Sequence, residues 1–409
     1  MLQVRGHITC PLWDMSPILK LTKVDNITKV YSMKNSLNIE KLNKRSQELG
    51  LSQAKLATNL GVSRESVSKW FRNEAIPRPD KLLKLARLLD LTFSELTIRT
   101  STSSEPVVAF RKKGAHKITD DYIDQARDMG RILSDLVTYL PFDDLSQPAV
   151  LRNPINDYAY VQKAAKRIRM QIDVHEGDEI GFDKLINFFI DLHAVIIPVL
   201  WGRKDNHENA LHIYLPDSMT TWIYLNLDCR LHDFKFWMAH ELGHVHTPQL
   251  QGEAGEDFAE AFAGALLVPQ ELAENEYNEL IRLTNIGAQI NHIKGVAERL
   301  VVSPLSVYFE INKFAAHHGK PKIELELHQE IYQATSNFNK EFKPISECLF
   351  GTKNPSPSRY IASATEHFMS PFFDILKRYV VEHHKSASFI QSLLNIPLLD
   401  AQNVYAEFC

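Results

Sequence analysis

The residues best equipped for chemistry lie in the string FKFWMAHELGHVH, positions 234–246. His240, Glu241 and His244 form an H-E-x-x-H pattern. On a helix, residues four apart project from the same side, so the two imidazoles can share one ion. Glu241, next to His240, is placed to take a proton from water held by that ion. Gly243 permits close backbone approach beside the metal, and Phe234, Trp237, Met238, Leu242 and Val245 supply the packing side. The chemistry then turns on a third ligand. The next helical string, GEDFAEAFAGALLVP (255–269), offers Glu256, with Glu253 and Glu260 as rivals for the role. Glu260, one turn beyond Glu256 on the same face, could instead hydrogen-bond a ligand histidine and orient it. Two His and one Glu leave a coordination position open, the catalytic type of zinc site, so Zn2+ is the expected cofactor. For the group that steadies a tetrahedral oxyanion, Tyr224, His246, Tyr308 and His317 are candidates among which no spacing decides. The adjacent pairs His317–His318 and His383–His384 cannot chelate as an i, i+4 pair does, and they read as surface histidines.

A different chemistry is suggested near the N-terminus. The 409-residue chain carries 46 Lys and Arg against 50 Asp and Glu, a net charge of −4. Taken whole, that is not the balance of a basic nucleic-acid coat. Residues 36–98 alone hold eleven cations and seven acids, a net +4, which leaves −8 for the rest. Helical periodicity there opens at Ile39 and Leu42. Ser52 and Ser63 read as N-caps of a second and third helix around a Gly61-Val62 turn, and Pro79 with Asp80 starts a fourth. Ser94 is expected to cap a last short helix. Helix, short Gly-containing turn, helix is the helix-turn-helix arrangement. Ser63, Arg64, Ser66, Ser68, Lys69 and Arg72 face outward from the third helix, where short hydroxyls and long cations suit base edges and phosphates. Gln53 could donate to a phosphate as well.

The string LSQAKLATNLGVSRESVSKWFRNEAIPRPDKLLKLARLLDLTFSEL (51–96) resembles the helix-turn-helix domain of the Xre/Cro/phage-repressor family. The resemblance rests on the S-Q start of helix two, the G-V-S turn, the S-x-W of helix three and the P-x-x-x-L-L-x-L-A entry to helix four. It implies operator DNA as partner, commonly bound as a homodimer on a pseudo-palindrome. The strings FWMAHELGH and EDFAEAFAGALLVP resemble the ImmA/IrrE metallopeptidase family, a thermolysin-like (gluzincin) group. Glu260 stands where that family commonly has Asn or Asp. This likeness runs from about 155 to 315 and includes a later string, IKGVAERLVVSPLSVYFEI, that mimics a helix-turn-helix and is expected to pack rather than read DNA. The resemblance implies a zinc-dependent endopeptidase whose protein substrate is a repressor or other regulator. The strand near Trp222–Leu227 would then be a sheet edge that pairs with an extended substrate.

Around these strings the pattern is α+β and mainly α. Helices are expected over 117–140, 156–174 and 182–193, and strands at 196–200, 211–215 and 221–227. The expected division is an N-terminal arm (1–35), flexible or reflecting an upstream start; an all-α helix-turn-helix domain (36–98); a polar linker (99–115); a peptidase domain with a small sheet (116–319); and a helical C-terminal region (320–409). No apolar run approaches the roughly 18–20 residues of a membrane span. Cys10, Cys229, Cys348 and Cys409 are far apart and suit idle thiols of a reducing, cytoplasmic setting.

Overall fold

A computed structural model describes residues 36–98, 105–109, 120–141, 150–175, 177–202, 209–326, 329–352 and 354–409. The expected N-terminal arm and most of the expected linker lie outside the described residues. The first module runs β1 (Ser36–Leu37), α1 (Ile39–Glu48), α2 (Gln53–Leu60), α3 (Arg64–Phe71), α4 (Pro79–Leu89), α5 (Phe93–Leu96) and β2 (Thr97–Ile98). The side chains of Asn38, Ser52 and Ser63 accept from the backbone N–H of Lys41, Lys55 and Ser66 and so cap α1, α2 and α3. Such caps stabilise by roughly 1 kcal/mol each. Gly61 ends α2 in the left-handed region at φ 62°, where a side chain would be strained. Leu42, Leu56, Leu60, Val67, Trp70, Leu83 and Leu89 close the core. Ser94 does not cap α5, because it lies inside it. Thr92 does: its hydroxyl accepts from Glu95 N–H (3.3 Å) while the Glu95 carboxylate accepts from Thr92 N–H (3.0 Å), a reciprocal capping box. β1 pairs antiparallel with β2 and ties the ends of the module together.

The body contains β3 (Val107–Ala109), α6 (Asp120–Leu136) with a 3-10 turn at Val137–Tyr139, α7 (Tyr158–Gln171), α8 (Phe182–Asp191), β4 (Ala194–Val199), β5 (Ala210–Leu215) and β6 (Thr220–Asn226). Then come α9 (Leu231–His246), α10 (Gly252–Leu267), α11 (Gln270–Leu280), α12 (Ile286–Leu300) and α13 (Pro304–His317). The C-terminal region adds α14 (Glu330–Lys340), α15 (Ile345–Phe350), α16 (Pro357–Phe368), α17 (Phe372–Glu382), α18 (Ala387–Leu394) and α19 (Leu398–Ala406). The protein is therefore mainly α, with a helix-turn-helix head and an α+β body.

The sheet order is β3-β5-β6-β4, with β4 parallel to β6 and the other pairs antiparallel. This corrects the expectation that the Trp222–Leu227 strand is an edge. β6 is interior, all seven of its residues are buried, and both rows of its backbone groups are spent on neighbours. The edges are β3 and β4. At β4, Pro198 has no N–H to offer, and the outward carbonyls of Pro198 and Ile196 accept from Tyr360 Oη (2.7 Å) and Ser370 Oγ (2.5 Å); an edge so covered does not invite another strand. Trp201 Nε1 and Tyr224 Oη donate to Leu394 and Leu393 carbonyls (2.8 and 2.9 Å). The C-terminal helices are thus packed onto the sheet, and the apolar stripe Phe368, Phe372, Ile375, Leu376 and Tyr379 is core. The helix-turn-helix-like string forms α12 and α13, where Val307, Tyr308, Ile311 and Phe314 are buried.

One buried cation binds several elements. Arg169 of α7 is 1% exposed and donates to the carbonyls of Leu266 (2.7 Å), His175 (2.5 Å) and Asp178 (2.6 Å). Arg169→Met would leave those acceptors buried and unmatched. A loss of about 3–5 kcal/mol is expected in chemical denaturation, from unsatisfied carbonyls and a charge-assisted network removed at once. A loss below about 1 kcal/mol would show that the network is not what holds α7 to α10.

Candidate functional site

α9 and α10 pack against each other because Gly243 has no side chain: a Cβ there would lie 2.8 Å from Ala259 Cα and 3.1 Å from its Cβ. That approach carries Glu256 up to the two histidines. His240 Nε2 and His244 Nε2 are 3.1 Å apart, and each is 3.3 Å from one Glu256 oxygen, Oε2 and Oε1 respectively. These three side chains form the one group among the described residues with metal-holding geometry. Ligand atoms on a tetrahedral zinc, each roughly 2.0–2.1 Å from the ion, stand about 3.3 Å apart. The triangle therefore fits such an ion without rearrangement. Glu253 is exposed at the helix start, so of the three rival carboxylates it is Glu256 that joins the histidines. Glu260 Oε2 is 3.9 Å from His240 Nδ1, beyond a hydrogen bond but within ion-pair range.

His240, Glu241, His244 and Glu256 are all at least nine-tenths buried. Two carboxyls in one pocket are pushed in opposite directions. Burial, reinforced by the Glu256 charge, holds Glu241 well above the ordinary carboxylate range. Burial acts the same way on Glu256, but hydrogen bonds from His240 and His244 outweigh it and leave Glu256 at about 2. Burial lowers His240, and Glu256 only partly offsets this. The resting cluster thus presents a neutral imidazole and an ionised carboxylate, the protonation states a dication needs. Glu241 Oε2 is buried without a hydrogen-bond partner among the described residues, as expected of a group kept for a guest; His240 Nδ1, also without one, faces away from the triangle toward Glu260.

One residue escaped the sequence reading. His212 of β5 is 2% exposed, and its ring stacks on His244 with centroids 5.7 Å apart and planes at 29°. Its Nε2 has no partner among the described residues. Burial, then the neighbouring His244, holds it well below the usual imidazole range. The available signal was the alternation in LHIYL, which sets His212 and Tyr214 on the face opposite Leu211, Ile213 and Leu215. Of the four oxyanion candidates, Tyr224 points to the other face of the sheet, where its hydroxyl donates to Leu393, and Tyr308 donates to Ile323 O (2.8 Å). His246 lies between Phe188 and Phe262, and His317 stacks on Tyr158.

In the head, Ser63, Arg64, Lys69 and Arg72 are exposed, and Gln53, Ser66 and Ser68 are half-buried along α2 and α3. Ser63 caps α3, and its hydroxyl is 2.9 Å from that of Ser66. Lys69 pairs with Glu65 (2.9 Å) and Arg72 with Glu74 (3.1 Å). Both pairs are solvent-exposed, worth little, and readily exchanged for phosphate.

Comparison with known families agrees with this division. Residues 42–96 match the helix-turn-helix family model. Residues 195–318 match that of the IrrE N-terminal-like domain, a peptidase family. The chain thus joins an Xre-like helix-turn-helix domain to an ImmA/IrrE-like domain. Searches of curated proteins and of solved structures gave no match. No helix among the described residues is long and apolar enough to cross a membrane.

Proposed function

We propose that the protein is a DNA-binding transcriptional regulator whose second domain is a zinc-dependent endopeptidase acting on a repressor or other regulatory protein. The observation that carries this reading is the near-equilateral triangle of His240, His244 and Glu256 with a partnerless, protonatable Glu241 beside it. A zinc ion held by that triangle would supply Lewis acidity toward the scissile carbonyl. Glu241 takes the proton of the attacking water and returns it to the leaving amine, a role that suits a carboxyl whose proton affinity burial has raised. Gly243 and the α9–α10 contact keep Glu256 in place; Glu260, 3.9 Å from His240 Nδ1, would orient that ring only after closing to hydrogen-bond distance. Tethering to DNA concentrates the peptidase near promoter-bound regulators. The test is incubation of zinc-loaded protein with regulators encoded by neighbouring genes, read by mass spectrometry beside Glu241→Gln.

A second reading, a regulator whose peptidase-like domain senses a ligand or partner without cutting, is favoured by one observation: Glu241 and His244 are each only 3% exposed. Zinc binding with no processing of any tested regulator would select it.

For the head, α3 enters the major groove, with Arg64 and Ser66 reading bases and Gln53, Ser63, Ser68, Lys69 and Arg72 contacting backbone or bases. Arg64→Ala is expected to cost about 1–3 kcal/mol of discrimination between operator and scrambled DNA, while Lys69→Ala weakens both alike and flattens the salt dependence. An unchanged footprint for Arg64→Ala would reject α3 as the reader. Two half-sites require two heads, so a cytoplasmic homodimer is the expected state, measurable by light scattering.

A further inference from the structure

The edge strand beside the metal triangle comes from an unexpected place. β3 belongs to the segment that joins the head to the body, 85 or more residues before the matched peptidase-family region begins at 195. It pairs antiparallel with β5 in the register Val107↔Tyr214, Val108↔Ile213 and Ala109↔His212. Its last residue therefore sits opposite the histidine whose ring stacks on His244. β3 also lies against α10, the helix that supplies Glu256. Without β3, the outer row of β5 would be the unsatisfied backbone edge next to the triangle, and an extended peptide adds to such an edge.

The strand is short but deliberately seated. Arg131 of α6 pairs with Glu105 (2.8 Å). Pro106 is buried in the space left by Gly130, where a Cβ would meet Pro106 Cβ at 2.5 Å and Cγ at 2.7 Å. Its three paired residues remain half-buried. Three residues of ladder are few for a strand, and local opening of such an element costs far less than global unfolding. The arrangement joins a ready-made edge, an occupant tethered in cis, and a catalytic cluster that is closed off.

We propose that β5 is the docking edge for an extended substrate segment of small and β-branched residues, and that the chain's own Glu105–Ala109 segment occupies it as an intramolecular competitor. Cleavage of a docked segment rests on the peptidase reading; the docking itself does not. β3 must leave before a segment in trans can pair antiparallel with β5, and the tether gives it a high effective concentration against weak competitors.

The test uses the full chain carrying Glu241→Gln, so that nothing is cut, and a labelled, end-capped peptide of sequence Glu-Pro-Val-Val-Ala. Gly130→Ala acts from the helix side: alanine suits a helix, yet its methyl must push Pro106 away. The expected result is peptide binding at least about 10-fold tighter, a change of roughly 1.4 kcal/mol, with faster amide exchange confined to 210–215. Faster exchange without tighter binding would overturn β5 as a docking edge, and unchanged exchange in a folded variant would overturn displacement. Should Gly130→Ala misfold, Val107→Cys with Tyr214→Cys covers the same question, since directly opposed residues share a face. Oxidised, it should refuse the peptide even at high concentration, and reductant should restore weak binding. Binding that persists in the oxidised form rejects the proposal. If the edge binds as expected but no substrate is ever cut, the peptidase reading fails and this one stands.

Discussion

Glu241→Gln is expected to lower peptide-bond hydrolysis by about 100- to 10,000-fold, the usual contribution of a positioned general base and acid, while zinc content stays at the wild-type level. Gln keeps the volume and hydrogen-bonding tip of Glu, but it cannot carry a proton from water to a leaving amine. His240, His244 and Glu256 are untouched, so binding and chemistry separate. The same substitution has a second, opposite signature in metal-free protein. The folded protein holds Glu241 well above the ordinary carboxylate range, by burial and then by the Glu256 charge. A group raised in the folded state contributes its stability below the unfolded carboxyl value, and that contribution is lost as pH rises toward its folded value. Wild type should therefore fall behind the Gln variant in stability as pH rises above about 4, and match it below. An inert glutamate buried at the same place would show this pH dependence but not the rate loss. Equal rates for the two proteins on a cleaved regulator would remove Glu241 from the chemistry.

How much of the chain is legible as sequence depends on how local each signal is. The head is local physics: Ser52 and Ser63 cap the helices they precede, Gly61 supplies the left-handed turn, and the leucines of α4 face one way because their spacing is helical. The H-E-x-x-H and the acidic string after it are equally local, and the α9–α10 contact through Gly243 brings them together. The misplaced elements all depend on long-range pairing. Nothing in TWIYLNL announces a parallel neighbour 27 residues earlier in register (Ala194↔Thr221), yet β4 makes β6 interior. EPVVA reads as the middle of the expected linker until the pairing of Val107–Ala109 with β5 makes it a strand. His212 looks like one polar residue in an amphipathic strand, and only the packing of β5 over α9 sets its ring on His244. The C-terminal helices carried no motif because they act by covering the sheet, through ordinary apolar packing, the hydroxyls of Tyr360 and Ser370 on β4 carbonyls, and the backbone carbonyls of Leu393 and Leu394, none of which has a characteristic spacing.

The second large effect concerns the triangle itself. Zinc at about 100 times its dissociation constant should stabilise the wild-type protein by about 2.7 kcal/mol, a rise of roughly 4–5 °C in melting temperature for a body of about 300 residues. Glu256→Gln and His244→Ala should lose that response, because each removes a corner that no neighbour can replace: Glu260 approaches only Nδ1 of His240, at 3.9 Å. The metal-free behaviour of Glu256→Gln should differ from that of Glu241→Gln in sign. The histidines hold Glu256 at about 2 against the push of burial, so the folded state favours its ionised form. Such a group stabilises above the ordinary carboxylate range, and the benefit is lost as pH falls through its folded value. Glu256→Gln should therefore be less stable than wild type at neutral pH, with the deficit shrinking as pH falls from about 4 toward 2. Two carboxyls separated by fifteen positions in the chain and sharing one pocket would then give stability profiles of opposite slope. That pairing is what a site with one proton carrier and one permanent anion must produce, and an accidental cluster of buried polar residues would have no reason to divide the roles. Profiles of the same slope would mean that Glu256 is not held ionised by the histidines, and the triangle would lose its claim to a dication.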